Sequence, residues 1–213
     1  MLCLISAIET ELRWLIEKLG ARQETGNKIW FASQPDVIIA PVGVGFLESA
    51  INVNKLLDIY PQINKLLFTG SAGVYPNISS IKPGDICSCL ETVLADGAAE
   101  HGFSLYAEPL PRTAIPATFQ LGNDLYPSKI ATLLTLTQSD ALAETIQKKL
   151  NVELETMELY GIAQVCRKRS LPWNAIIGIT NQVGSSGHLQ WQKSFREVAA
   201  KIGEILLDQL KDI

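Results

Sequence analysis

The sequence predicts an α/β fold of layered type, with helices packed on a mixed, mostly parallel sheet. Two observations carry this. Short β-rich runs alternate with helical patterns from one end of the 213 residues to the other, the order in which strand–helix–strand units build such sheets. No repeat, low-complexity segment or linker-like shift in composition interrupts them, so residues 1–213 read as a single domain. Hydrophobic residues at 47% and charged residues at 19% can supply a substantial core, and single α/β domains of roughly 200–250 residues are common.

Taken in order, the run Met1-Leu2-Cys3-Leu4-Ile5 opens a strand over 2–8, and a helix follows over 9–20. Strands are predicted at 28–33 and 36–41, and the second runs into Val42-Gly43-Val44-Gly45. The helix at 45–59 has the clearest spacing, with Leu47, Ala50, Ile51, Val53, Leu56 and Leu57 on one side. A buried strand at 65–69 is followed by Gly70-Ser71-Ala72-Gly73, which reads as a turn. After a strand at 85–94, the stretch from Asp96 to Lys129 is broken by Pro109, Pro111, Pro116 and Pro127. It is expected to be a long surface excursion, of the kind often used as a lid or interface. A strand at 131–137, a helix at 140–150, a strand at 152–156 and a helix at 157–169 follow. A strand at 174–180 and a helix at 191–211 complete the chain.

Composition excludes several classes. A net charge of −4 without a Lys/Arg block argues against a nucleic-acid partner. Apolar runs such as Leu66 to Phe68 and Ala175 to Ile177 are core-strand length, far short of a membrane span. The N-terminus shows no basic region before its first strand, so no signal peptide is expected. Cys3, Cys87, Cys89 and Cys166 lack His or Cys partners at metal spacing and read as reduced and buried. The expectation is a cytoplasmic protein without metal or cofactor.

Candidate chemistry gathers where strands end, the edge at which α/β sheets bind ligands. Glu155-Thr156-Met157-Glu158 closes one strand and opens a helix. A carboxylate there can accept hydrogen bonds from both hydroxyls of a ribose, and a methionine can pack on the sugar's apolar face. Glu9 and Glu11 stand just past the first strand, the glycines of Val42-Gly43-Val44-Gly45 past another, and Gly70-Ser71-Ala72-Gly73 past a third. Small residues, a hydroxyl and free N–H groups can hold an anion or a water. Thr180-Asn181 ends the last strand. Each element alone has an ordinary structural role, and their shared position at strand ends favours one site.

The order AIETEL, GVG, GSAG, KPGD, TMEL and GITNQVG resembles the nucleoside phosphorylase and nucleosidase superfamily, over essentially the whole chain. The resemblance implies a sheet twisted partly into a barrel and flanked by helices, a small-molecule nucleoside substrate, and a homodimer or higher homo-oligomer. It implies that Glu11 activates the attacking water, while Glu9 is a helix-start or solvent-facing charge. Gly70, Ser71 and Ala72 then hold the water or phosphate, and Met157 and Glu158 hold the ribose. Leu142 and Ala143 wall the base, and Asn181 faces the purine N7 and the group at C6.

Phosphorylases of this superfamily hold phosphate with arginines, one of them shortly before the Gly-Ser segment. Here Lys65-Leu66-Leu67-Phe68-Thr69 stands in that place. Phosphate beside Glu11 without a guanidinium would be poorly stabilised, so water is the expected nucleophile. Adenine-cleaving nucleosidases of the family carry aspartate where this chain has Asn181. An asparagine can donate to O6 or N7 and accept from N1–H, which suits a 6-oxopurine such as hypoxanthine. Asn181-Gln182-Val183-Gly184 with Trp191, and Ala95-Asp96-Gly97-Ala98-Ala99-Glu100, resemble futalosine hydrolase. The chain departs from that subfamily at Ser185-Ser186-Gly187-His188-Leu189-Gln190, where arginines are usual, and at Leu159-Tyr160-Gly161. These departures leave the 5′ substituent unassigned. Trp191 can equally be a helix-start residue packed on the core. Two other readings compete: a methylthioadenosine/adenosylhomocysteine nucleosidase, and a non-catalytic nucleoside-binding protein of the same fold.

Overall fold

The computed structural model describes residues 1–33, 36–107, 113–122 and 124–210. The sheet is made by β1 (Leu2–Ser6), β2 (Arg22–Gln23), β3 (Trp30–Ser33), β4 (Asp36–Pro41), β5 (Lys65–Val74), β6 (Ile86–Leu94), β7 (Ile115–Pro116), β8 (Tyr126–Thr132), β9 (Leu154–Thr156) and β10 (Trp173–Gln182). Around it lie α1 (Glu9–Lys18), α2 (Phe46–Ile59), α3 (Gly97–His101), α4 (Asp140–Leu150), α5 (Leu159–Arg169) and α6 (Gly187–Leu210).

β5, β10, β6, β8 and β9 close on one another into a ring, because β5 pairs with both β9 and β10. From β5 the sheet continues as an open extension through β1, β4, β3 and β2. The pairings β1–β4, β1–β5, β5–β10 and β6–β8 are parallel, whereas β6–β10, β5–β9 and the β2–β3–β4 pairings are antiparallel.

Side chains alternate across this sheet and define the layers. On β1, Leu2 and Leu4 face a core shared with α1 and α6, while Cys3 and Ile5 face a core shared with α2 and α5. β1 is buried along its whole length, as expected for a strand covered by helices on both faces. Among the described residues, no helix is long and apolar enough to cross a membrane.

Three expectations are corrected. Gly70-Ser71-Ala72-Gly73 is no turn: β5 runs through it to Val74, paired with β10 from Leu66 onward. Its small residues answer crowding inside the ring. A Cβ on Gly73 would stand 2.8 Å from both Asn181 Nδ2 and Val183 Cγ2. The strand expected at 131–137 is shifted, since β8 already pairs with β6 from Tyr126, through Pro127, and leaves the sheet after Thr132. The Asp96–Lys129 stretch is therefore only partly an excursion: its described residues contain α3, β7 and the first half of β8. Pro109, Pro111 and position 211 lie outside the described residues.

Candidate active site

Four chain exits converge on one cavity of ≈ 250 Å³. β1 leaves through Ala7 and Ile8 into α1, which carries Glu11 one turn in. The parallel β4 leaves through Gly43 and Gly45, whose φ values of 91° and 89° only glycine adopts readily, and presents Val44. β5 contributes Phe68 and Ser71 from within the strand. β9 is antiparallel to β5, with Glu155 opposite Gly73, so its exit runs back toward Ser71 and delivers Met157 and Glu158. α6 adds His188 and Trp191, and the segment after β8 adds Leu136.

The polar groups form two sets, one around each carboxylate. Trp191 Nε1 donates to Ser71 Oγ at 3.0 Å, and Ser71 Oγ donates to Glu11 Oε1 at 2.8 Å. An indole N–H can only donate, so Ser71 accepts from it and turns its own proton to the carboxylate. The other oxygen, Oε2, accepts from the hydroxyl of Ser6. Glu158 sits at the N-cap of α5. Its Oε1 accepts from the backbone N–H of Gly45 at 2.9 Å and its Oε2 from that of Met157 at 3.2 Å.

Enclosure sets the acidity of both groups. The Glu158 carboxyl is pushed up to about 7, first by burial, against the pull of the Gly45 N–H and with the negative charge of Glu11 adding to the rise. Burial likewise raises Glu11 above the usual carboxylate range, against the hydroxyls of Ser6 and Ser71. Two acids in one pocket, neither paired with a cation, are suited to proton transfer near neutrality and to meeting positive charge in a ligand. Among the described residues lining the cavity there is no lysine or arginine.

The expected residues divide. Glu11, Ser71, Met157 and Glu158 come together on this cavity. Gly70 lies directly beneath, and a Cβ there would be 3.6 Å from Glu11 Oε2. Ala72 is buried in the core behind it. Leu142 and Ala143 do not line the cavity: Ala143 is fully buried with Ile146 and Val183, and Leu142 packs against Gly97. Asn181 does not line it either. Its Oδ1 accepts from Thr180 Oγ1 at 2.7 Å and its Nδ2 donates to the Gln182 carbonyl at 2.9 Å. Glu9 is turned outward to Arg13 and Lys28, as a helix-start charge.

His188 and Trp191 both stand on the cavity wall, although the sequence pattern puts His188 before the helix and Trp191 at its start. α6 begins at Gly187, so both rings fall on one helical face. Trp191 stacks on His188 at 5.8 Å between centroids and on Phe195 at 4.7 Å. Their spacing of three and four residues was the available signal. A larger cavity of ≈ 390 Å³ lies at the amino end of β10, against Ser88, Thr118 and Asn174, with no carboxylate among the described residues of its wall.

Comparison with known proteins agrees with this architecture. The family model described as "Phosphorylase superfamily" matches residues 2–211. A 5′-methylthioadenosine/S-adenosylhomocysteine nucleosidase of Staphylococcus carnosus is 23% identical, with 100% of each chain covered. Among solved structures, a futalosine hydrolase mutant of Helicobacter pylori superposes with a TM-score of 0.85 at 17% identity, covering 100% of this chain and 99% of that one. A 5′-methylthioadenosine/S-adenosylhomocysteine nucleosidase of the same organism, bound to butyl-thio-DADMe-Immucillin-A, gives 0.84 at 16% identity, covering 100% and 98%.

Proposed function

The chain belongs to the phosphorylase superfamily, and within it we propose that this protein is a nucleosidase, an enzyme that hydrolyses the N-glycosidic bond of a purine nucleoside. The observation that carries the reading is the placement of Glu11 and Glu158 on one cavity with Met157 between the strand exit and α5. Its curated relatives carry nucleosidase names.

Glu11 is the general base to water. Ser71, held by Trp191, fixes the direction of its hydrogen bond. Glu158 takes the 2′ and 3′ hydroxyls and opposes the positive charge that grows on the sugar as the bond to the base breaks. Met157 packs on the sugar. A wall without a guanidinium or ammonium favours water over phosphate.

The base is a 6-oxopurine, and the best candidate substrate is futalosine. This finer reading rests on the chemistry of Asn181, whose amide must first leave Thr180 and the Gln182 carbonyl. The methylthioadenosine/adenosylhomocysteine reading is favoured by the names of the curated relatives. Incubation with futalosine, inosine and methylthioadenosine, with and without phosphate, separates them by the free base released. No release from any of the three overturns the nucleosidase reading, and adenine release alone overturns the 6-oxopurine.

The active unit is a homodimer or higher homo-oligomer. Val44, Leu47 and Ile51 at the cavity rim and the start of α2, and Phe103 and Leu105 after α3, are exposed, an apolar surface a second copy would cover. Full activity from a species of monomeric mass at micromolar concentration would refute this.

A further inference from the structure

We propose that Ser6 is a positioning residue for Glu11: its buried hydroxyl is a built-in donor that keeps this carboxylate ionised and oriented, without touching the substrate. The proposal rests on the nucleosidase reading only for what Glu11 does.

Ser6 is the last residue of β1 and is completely buried. Its hydroxyl donates to Glu11 Oε2 and has no other hydrogen-bond partner among the described residues. It does not line the cavity, whereas Glu11 and Ser71 do. Its backbone is separately engaged, since the Ser6 carbonyl accepts from the Val42 N–H at 2.8 Å. The side chain is therefore spare as far as the sheet is concerned.

The chemistry makes that hydroxyl consequential. A carboxylate enclosed at the start of α1 has lost solvent, and burial drives it toward the neutral acid, which cannot take a proton from water. Each oxygen of Glu11 has one hydroxyl donor, Ser71 on Oε1 and Ser6 on Oε2. A substrate or a water arriving in the cavity can compete for Ser71, which lines it, but not for Ser6. Ser6 is thus the hydroxyl donor that remains in place through turnover, beside the backbone N–H of Ser71. With both oxygens pinned, these contacts also fix the carboxylate plane while leaving a lone pair for the water.

Other groups that can tilt Glu11 are few. The Ser71 backbone N–H joins the two hydroxyls in favouring the anion, and Glu158, at the start of α5, and His188, on α6, share the cavity with it. β1 carries no charge, the one charged residue of β5 is Lys65 at its far end over the Phe119 ring, and Glu9 is committed to Arg13 and Lys28.

The test is a carboxyl ¹³C NMR titration of the full-length protein, with the Glu11 resonance assigned by its loss in Glu11→Gln. Ser6→Ala is expected to move the Glu11 midpoint up by about one to two pH units, the effect of removing one charge-assisted donor. Ser6→Cys, nearly the same size but a weak donor, is expected to fall between, and Ser6→Thr to restore the wild-type value. In turnover, the acid limb of kcat/KM should move by the same amount, with KM above the limb unchanged. A Ser6→Ala protein that titrates within about half a unit of wild type, or a Ser6→Cys protein whose midpoint coincides with wild type, overturns the proposal, even if it is less stable. The titration needs no turnover. If the wild type cleaves no nucleoside, the nucleosidase reading falls while the NMR result still decides the role of Ser6.

Discussion

Glu158 offers a stability measurement that requires no substrate. Its carboxyl is raised from 4.5 to about 7, chiefly by burial and further by the charge of Glu11. Between those two values the folded protein keeps a proton that the unfolded chain has released. Wild-type stability therefore falls as pH climbs through that window and levels off above it. At about 1.36 kcal/mol per unit, the full loss is on the order of 3 kcal/mol. Glu158→Gln removes the titration while keeping an acceptor for the Gly45 N–H. Any cost of turning an amide toward the Met157 N–H is independent of pH, so the informative quantity is the difference between the two proteins as pH varies. Urea unfolding at about pH 4, 6 and 8 measures it. The variant should gain on the wild type between the first and last points by roughly 2–4 kcal/mol. A difference that stays flat across the window would show that Glu158 titrates as an ordinary surface acid. Its charge would then be held at no cost for sugar hydroxyls to offset.

Glu11→Gln should keep the fold and lose roughly 10²-fold or more in kcat; near-normal turnover would remove Glu11 from the role of base. Asn181→Asp should lower the ratio of hypoxanthine to adenine release by about one to two decades, since an ionised aspartate has nothing to donate to O6. An unchanged inosine-to-adenosine preference would mean that Asn181 does not read the base. Tyr75→Phe withdraws the hydroxyl that donates to buried Glu155 at 2.8 Å, leaving it the N–H and hydroxyl of Thr137. A loss of about 1–3 kcal/mol is expected in urea unfolding, and a shift below about 0.5 kcal/mol would show that water replaces the phenol. Gly161→Ala places a methyl against the backbone carbonyl of Phe46, so α2 and α5 must separate at a cost of about 1–3 kcal/mol or more. Because Gly45 adjoins that contact and holds Glu158, KM for the nucleoside should rise as well. Unchanged stability and KM would show that the helix start can shift freely.

What was legible in the sequence is what depends on chain neighbours. Glu11 and the Met157–Glu158 pair could be placed because each follows a buried run and opens a helical pattern, so the strand end fixes their position. Gly70-Ser71-Ala72-Gly73 was misread because small residues signal a turn locally. Here their smallness serves close approach of β5 to β10 and the following Val183, partners more than a hundred residues away. Asn181 illustrates a further limit. The β5–β10 register shifts between Ile179 and Asn181, and a bulge changes which face the next side chain presents. No local pattern reveals it. His188 was missed because α6 starts at Gly187, four residues before the expected helix, so a wall residue was counted as loop.

The two carboxylates also explain each other. Both are withdrawn from water in one cavity without a cation, which would drive both toward neutrality. The fold answers differently at each. Glu11 is held by side-chain hydroxyls from β1 and β5, groups that leave free lone pairs toward an attacking water. Glu158 is held by backbone N–H groups of Gly45 and Met157 and stands at the positive end of α5. The repulsion between the two charges is mutual, and Glu158, raised to about 7, holds its proton at rest below neutrality. Ribose hydroxyls arriving as donors would favour its anion, and substrate binding should then release a proton from Glu158 below about pH 7. Below about pH 7 the second negative charge is thereby created mainly when a sugar, about to become positive, is present to face it.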